Sequence, residues 1–452
     1  MFMVGREEQL KVLNGYYVSD KNNLTVLYGR RGIGKTALIR TFAGDKRHIC
    51  FNAAPAADFD LLEGFRKCVR EQIEGFEASG DYADIFRGVI LRQEEPVLFV
   101  FEEFQNIVRA DASFMGALAA MMRGNLGERK VMVILASSSV LWVENSMVKA
   151  IGDAAYSINA FLKLKELSYA DTVAMFPEMR ARDLLYMYAV TGGVPRYLAA
   201  WDGGGDVRSN ICRLFLEDGA RFREEAELFV KEEFRETGVY RTILGCLAAG
   251  MNKLNDIHAY TGYGRDKISV YLNNLIGREL AEKIFSYESG ASRNVRKGLY
   301  RIKDDLTGFW FRFVYPYYGL LERAGAESFY DRYIGERLDG FALEAFIGIA
   351  AELMQLMNDA GRLAVRGEYM GRWYGKAGDI HIIYGDGTAF AVGQAYTGGE
   401  PIGRTELEEL RESVKLAGIN AEQYFLFSAG GFDGELEKLG GKSLMLIGID
   451  DL

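Results

Sequence analysis

The chain lacks most of the features that would place it outside the ordinary globular proteins. Its four cysteines, Cys50, Cys68, Cys212 and Cys246, are scattered with no CxxC pair, which argues against a disulfide framework and against a structural zinc site. No run of 18 apolar residues occurs. The stretch over 309–318 is interrupted by Arg312 and Pro316, so no membrane span is expected. The first residues turn charged at once, unlike a secretory leader, and a reducing cytoplasm is the expected setting. No repeat of 20–50 residues and no low-complexity tract is present. There is also no excess of positive charge. With 54 basic and 63 acidic residues the net charge is -9, so nucleic-acid binding has no global support and must rest on a local patch.

What is present is core-forming material. Apolar residues make up 49% of the 452 positions and charged residues 26%, enough for two to four domains. Over 1–165, short continuous apolar runs alternate with helical patterns. The runs at 24–28, 96–101 and 130–135 read as buried parallel strands. Residues 166–235 read as helical, with one tight break at Gly192-Gly193-Val194-Pro195. Three helical stretches near 240–249, 253–260 and 265–278 precede two strand-like pieces at 281–287 and 298–302. That is the order of a winged helix-turn-helix over 236–305. Residues 306–452 mix helix with short strands such as 380–383 and 390–393.

The strongest chemical signal follows the first strand. Gly29-Arg30-Arg31-Gly32-Ile33-Gly34-Lys35-Thr36 has the spacing G-x-x-x-x-G-K-[ST]. Glycines let backbone N–H groups turn to phosphate oxygens, the lysine meets the β- and γ-phosphates, and the threonine hydroxyl suits magnesium. ATP with Mg2+ is the expected ligand. The second strand ends Glu102-Glu103-Phe104-Gln105. A carboxylate closing an adjacent strand can hold the metal and a second can polarise water; Glu102 is assigned to the metal with Thr36, and Glu103 to the water. The third strand ends in Ser137-Ser138-Ser139, where the Ser138 hydroxyl is the candidate γ-phosphate sensor.

Several strings together resemble one family, the archaeal and bacterial ATPases of the STAND/AAA-related class that carry a C-terminal nuclease-like domain. These are Val4-Gly5-Arg6-Glu7, the P-loop, residues 101–105, Thr191-Gly192-Gly193-Val194-Pro195-Arg196-Tyr197-Leu198, the strings at 298–304 and 309–316, and Met370-Gly371-Arg372-Trp373-Tyr374. The resemblance implies an α/β P-loop core (1–165), a helical lid (166–235), the winged helix (236–305) and a restriction-endonuclease-like α/β domain (306–452). It implies that Gly5 and Arg6 lie on the adenine side, and that Pro195 and Arg196 belong to a lid element that reads nucleotide state. From the residues alone, Pro195 breaks a helix and leaves Arg196 as a cation beside the break.

This chain departs from the family at three places. Glu102 stands where the family has aspartate, and its extra methylene displaces the carboxylate outward, which predicts slow turnover. The region 152–157 has no arginine for a neighbouring site. In the nuclease-like domain, His381, Gln394 and Tyr396 stand at the positions of acid, acid and lysine, with Asp379 and Glu344 nearby. An amide and a phenol do not replace a carboxylate and an ammonium in metal-assisted hydrolysis, so a non-cutting domain is expected. Over 250–303, ten basic residues stand against five acidic ones. Arg265 and Lys267 open the third helix and Arg293, Arg296 and Lys297 crown the wing, a local patch suited to DNA phosphates. The reading is of a slow nucleotide-dependent switch, with DNA association as a partner function, and it leaves oligomer formation open.

Overall fold

The computed structural model describes residues 4–92, 96–124, 130–287, 298–367, 369–375 and 378–452. The chain divides into two compact units, Met1–Leu167 with Val194–Arg196, and Ser168–Gly193 with Tyr197–Leu452.

The first unit is built on a five-stranded sheet of β1 (Asn23–Tyr28), β2 (His48–Asn52), β3 (Val97–Glu102), β4 (Val131–Ser137) and β5 (Ile158–Lys163). Every pairing is parallel and the order is β2-β3-β4-β1-β5. The apolar runs are continuous because both faces are covered. Alternate residues of β3 serve opposite cores. Phe99 and Phe101 join Phe65, Phe86 and Phe114 on one face, while Leu98 and Val100 join Leu38 and Phe42 on the other. Phe101 meets Phe114 edge to face with centroids 4.9 Å apart, a geometry that adds to simple burial.

The order corrects one expectation. The strand ending in Glu102 is not adjacent to the P-loop strand, because β4 lies between them. Strand order depends on the crossover helices rather than on anything within a strand. Because all five strands are parallel, the carboxyl ends of β1, β3 and β4 still open on one edge of the sheet, where ligands of α/β proteins bind.

The second unit holds a three-helix group, Thr237–Ala248, Leu254–Thr261 and Arg265–Gly277, followed by an antiparallel hairpin of β6 (Ala281–Ile284) and β7 (Leu299–Ile302). Gly262, at φ 70°, ends the second helix in the left-handed conformation a glycine tolerates. Ile243, Leu247, Ile257, Ile268, Leu272 and Leu275 are buried. Three helices followed by a hairpin is the element order expected above for residues 236–305. The wing residues Arg293, Arg296 and Lys297 lie outside the described residues.

A second sheet follows, with β8 (Tyr369–Tyr374), β9 (Asp379–Gly385), β10 (Phe390–Tyr396), β11 (Ala421–Ser428) and β12 (Leu444–Gly448) in the order β12-β11-β10-β9-β8. The first three strands pair antiparallel and the last three parallel, the mixed α/β sheet expected of the nuclease-like fold. The long helix Leu338–Asp359 precedes it. Among the described residues, the helical stretch Ala326–Asp359 is long and apolar enough to cross a membrane by length and composition. Part of its apolar surface is instead used inside the protein, since Leu338, Ala342, Phe346, Ile347, Ala350 and Met354 are buried.

Candidate functional site

The P-loop leaves β1 at Gly29 and runs into the helix Lys35–Ala43. Gly32 (φ 79°) and Gly34 (φ 95°) take left-handed conformations, so both turns need glycine. At Gly29 a Cβ would come within 2.6 Å of the Leu164 carbonyl oxygen, so no larger residue fits there. The Lys35 ammonium is buried and donates to the carbonyls of Gly29 (2.6 Å) and Arg30 (3.1 Å). Burial pushes its pKa down to about 8, against the opposing pull of Glu103 and Glu102. The buried Arg6 guanidinium donates to the carbonyls of Lys165 (2.7 Å) and Ile33 (3.2 Å), which ties the 4–6 segment and Gly5 to the P-loop. Arg30 pairs with Glu166 at 3.5 Å, and Arg31 is exposed.

The longer side chain of Glu102 does not carry it out of reach of the loop. Its carboxylate hydrogen-bonds the Thr36 hydroxyl across the gap created by β4. Its other oxygen lies 3.8 Å from the Cys50 thiol on β2. Burial, reinforced by Glu102 and Cys68, pushes that thiol up to about 12, so it remains a neutral donor. Thr36 and Glu102 present hard oxygen ligands side by side, and this donor set fits Mg2+.

Glu103 occupies the turn after β3 with φ 53°. It is one of two non-glycine residues at positive φ among those described, with Glu279. The turn directs its side chain back to β4. Its Oε2 accepts from Gln105 Nε2 (2.7 Å), Ser138 Oγ (2.7 Å) and Ser138 N–H (3.2 Å). Burial raises the Glu103 pKa, but these donors and Lys35 outweigh it and hold the carboxyl below its ordinary value. Gln105 is itself buried and accepts from Ser137 Oγ at 2.7 Å. This residue was passed over in the sequence. Its signal is the pair of amides Gln105-Asn106 that opens the short helix Gln105–Ala110 directly after the two carboxylates.

Residues Val194–Arg196 reach the same loop. The Arg196 N–H donates to the Gly32 carbonyl at 3.1 Å, and a Cβ on Gly32 would meet the Arg196 side chain at 3.0 Å. Pro195 lies beside Gly34. Pro195 does not break a helix here. Gly192 ends the preceding helix in a left-handed conformation, and Pro195 opens the next, Pro195–Leu198, where its missing N–H costs nothing. The structure thus gathers Arg6, Gly29, Gly32, Gly34, Lys35, Thr36, Glu102, Glu103, Ser138, Pro195 and Arg196 within one compact unit.

The other sequence candidates are arranged differently. On the second sheet, the Ala395 N–H donates to His381 Nδ1 at 3.1 Å. Nδ1 is therefore the acceptor, and the ring proton sits on Nε2, facing Asp379 at 3.6 Å. Gln394 accepts from the His381 N–H (3.1 Å) and donates to Asp379 (3.4 Å). Hydrogen bonding from His381 holds the Asp379 carboxyl below its ordinary value, against burial. The Tyr396 hydroxyl donates to the Glu406 carbonyl at 3.4 Å, and Glu344 pairs with Arg301 and with Arg372 (2.7 Å). On the winged helix, Arg278 pairs with Glu233 (3.0 Å), Arg301 also with Glu282 and Lys303 with Glu279 (3.6 Å). Lys267 lies over the Tyr263 and Tyr271 rings. Much of the local positive charge is thus matched inside the protein. The His258 Nδ1 lies 2.7 Å from the main-chain oxygen of Tyr263.

Comparison with known proteins agrees with this geometry. Residues 3–200 match the family described as an ATPase domain predominantly from Archaea, and residues 310–392 match one described as archaeal and bacterial proteins of unknown function. An uncharacterized protein of Methanocaldococcus jannaschii is 26% identical over 392 residues, 84% of this chain and 83% of that one. An uncharacterized ATP-binding protein of the same organism is 43% identical over 47 residues, 10% of this chain and 80% of that one. The Walker-type ATPase PABY2304 of Pyrococcus abyssi shares the fold at a TM-score of 0.50 and 17% identity, over 69% of this chain and 96% of that one. The chain belongs to the archaeal P-loop ATPase family, with the second family's domain following in the same chain.

Proposed function

We propose that the chain binds ATP with Mg2+ and hydrolyses it slowly, as a nucleotide-dependent switch. The observation that carries this reading is the meeting of the Thr36 hydroxyl and the Glu102 carboxylate at the mouth of a P-loop whose lysine is already buried against the loop carbonyls. Thr36 and Glu102 would hold the metal, which neutralises charge on the phosphates when bound. Lys35 and the loop N–H groups would grip the phosphates, with Arg30, Arg31 and Ile33 carried in the same turn. Gly5 and Arg6 would border the adenine. Glu103 would take a proton from water as its oxygen joins the γ-phosphorus and the bond from that phosphorus to the β–γ bridging oxygen breaks, leaving ADP and phosphate. Ser138 would contact the γ-phosphate. Arg196 would report its presence along the chain into Tyr197. The test is Glu103→Gln. ATP binding should persist while turnover falls roughly a hundredfold or more; undiminished turnover would remove Glu103 from the mechanism.

A second reading, that nucleotide state gates contact with DNA, is favoured by one observation. The exposed face of the helix Arg265–Gly277 carries Arg265, Lys267, Val270 and Asn273 with one acid, Asp266, a polar and net basic set that would suit a groove. A mobility-shift titration in salt tests it, and no shift at low salt rules it out. Cutting of DNA is not part of the proposal, because an imidazole, an amide and a phenol stand at His381, Gln394 and Tyr396, each already hydrogen-bonded within the protein. Robust plasmid nicking with Mg2+ or Mn2+ would overturn that exclusion.

A further inference from the structure

We propose that Gln105 is a latch that holds Glu103 away from the attacking water and thereby sets the slow turnover. The inference rests on Glu103 as the water-polarising carboxylate. Gln105 is 5% exposed, and its amide has no freedom of orientation. One end faces a carboxylate oxygen, which can only accept, so that end must be Nε2. The other end accepts from Ser137 Oγ, which in turn accepts from the Ser139 N–H at 3.1 Å. The chain Ser139–Ser137–Gln105–Glu103 therefore runs in one direction, each member fixing the next.

Three donors converge on the single oxygen Oε2 of Glu103. Two come from Ser138, the residue placed to meet a γ-phosphate. Phosphate oxygens are strong acceptors and compete for those two donors. Gln105 is buried, lies behind the carboxylate and has no such competitor, so its hydrogen bond persists after Ser138 is drawn off. It keeps Glu103 in its left-handed turn (φ 53°), a conformation maintained only where the surroundings over-determine it. A carboxylate oxygen that still accepts from Gln105 is not free to accept from the attacking water. Removing the latch is therefore expected to accelerate hydrolysis.

The experiment uses the full chain with Gln105→Met, which keeps the buried volume and removes the donor, and Gln105→Met/Ser137→Ala, which also removes the hydroxyl left without its acceptor. Both should raise kcat about fivefold, the worth of one ordinary hydrogen bond, with KM for ATP unchanged. A kcat that is unchanged or lower in both variants, with native melting and with Glu103→Gln inactive, overturns the latch alone. A Glu103→Gln protein that still hydrolyses ATP at the native rate overturns the underlying reading and the latch with it.

Discussion

The chain contains two five-stranded sheets, and each brings polar residues to its strands, yet they use them in opposite ways. On the first, Thr36, Glu102, Glu103 and Ser138 arrive from separate elements at one edge, with Lys35 buried beside them. Their partners are loop carbonyls and one another, groups that a phosphate or a metal can displace. On the second, His381, Gln394 and Asp379 close into a small ring of hydrogen bonds on neighbouring antiparallel strands. A backbone N–H occupies the imidazole nitrogen, and an amide stands where metal chemistry needs charge. The difference lies in what the polar groups are tied to. Groups held by exchangeable partners make a site; groups that satisfy one another make a fold.

The comparison breaks most visibly at Lys35. Lys35→Ala removes a cation expected to make charge-assisted bonds to two phosphates, and should weaken ATP binding about a hundredfold or more by calorimetry. Retained tight binding would mean the first sheet is no more a nucleotide site than the second. The next effect is in pH. Burial holds the Lys35 pKa at about 8, so the ammonium is charged below that pH and neutral above it. Phosphates favour the charged form, so binding above pH 8 must take up a proton. ATP affinity should fall about tenfold per unit from there, while the ligand's own phosphates are already ionised. Calorimetry at pH 9 in two buffers of different ionisation enthalpy would show the uptake; a flat affinity from pH 7 to 9.5 would show that the lysine's environment does not control binding.

How far this contrast could be read in the sequence depends on the range of the interaction. The P-loop is local: eight consecutive residues contain its glycines, its lysine and its hydroxyl, and the preceding apolar run marks the strand. The helix order of the winged helix was equally plain, because Gly250 and Gly262 punctuate it. Strand order was not, since nothing in β4 marks its place between β1 and β3. Glu102 reaches the Thr36 hydroxyl across that inserted strand, a contact the sequence alone does not indicate. Gln105 was missed because its partners, Ser137 and Glu103, come together only once β3 and β4 pair. The positive excess over 250–303 is likewise matched in part from a distance. Arg278 and Arg301 are neutralised by Glu233 and Glu344, which lie outside that window.

The smallest expected effect bears on the second sheet, and it tests whether the missing carboxylate is what silences it. Gln394→Glu restores an acid beside Asp379 while keeping an oxygen to accept from the His381 N–H. Without metal, the donation to Asp379 is exchanged for like-charge repulsion, and the chain should lose about 1–2 kcal/mol of stability. Asp379 is held ionised by His381 and lies below its ordinary pKa, so the native chain's share of that stability is present at neutral pH and is lost as pH falls through the carboxylate range. The variant's penalty should accordingly fade in acid, where one of the two carboxyls is protonated. At neutral pH, Mn2+ should reverse it: an ion bound only by the folded state at a hundred times its Kd contributes about 2.7 kcal/mol. Thermal melts of the native chain and the variant, with and without Mn2+, give the answer as a difference, so any ion taken up elsewhere cancels. A variant that Mn2+ stabilises no more than the native chain would show that the hydrogen bonds around His381, rather than the lost carboxylate, close the second sheet to metal.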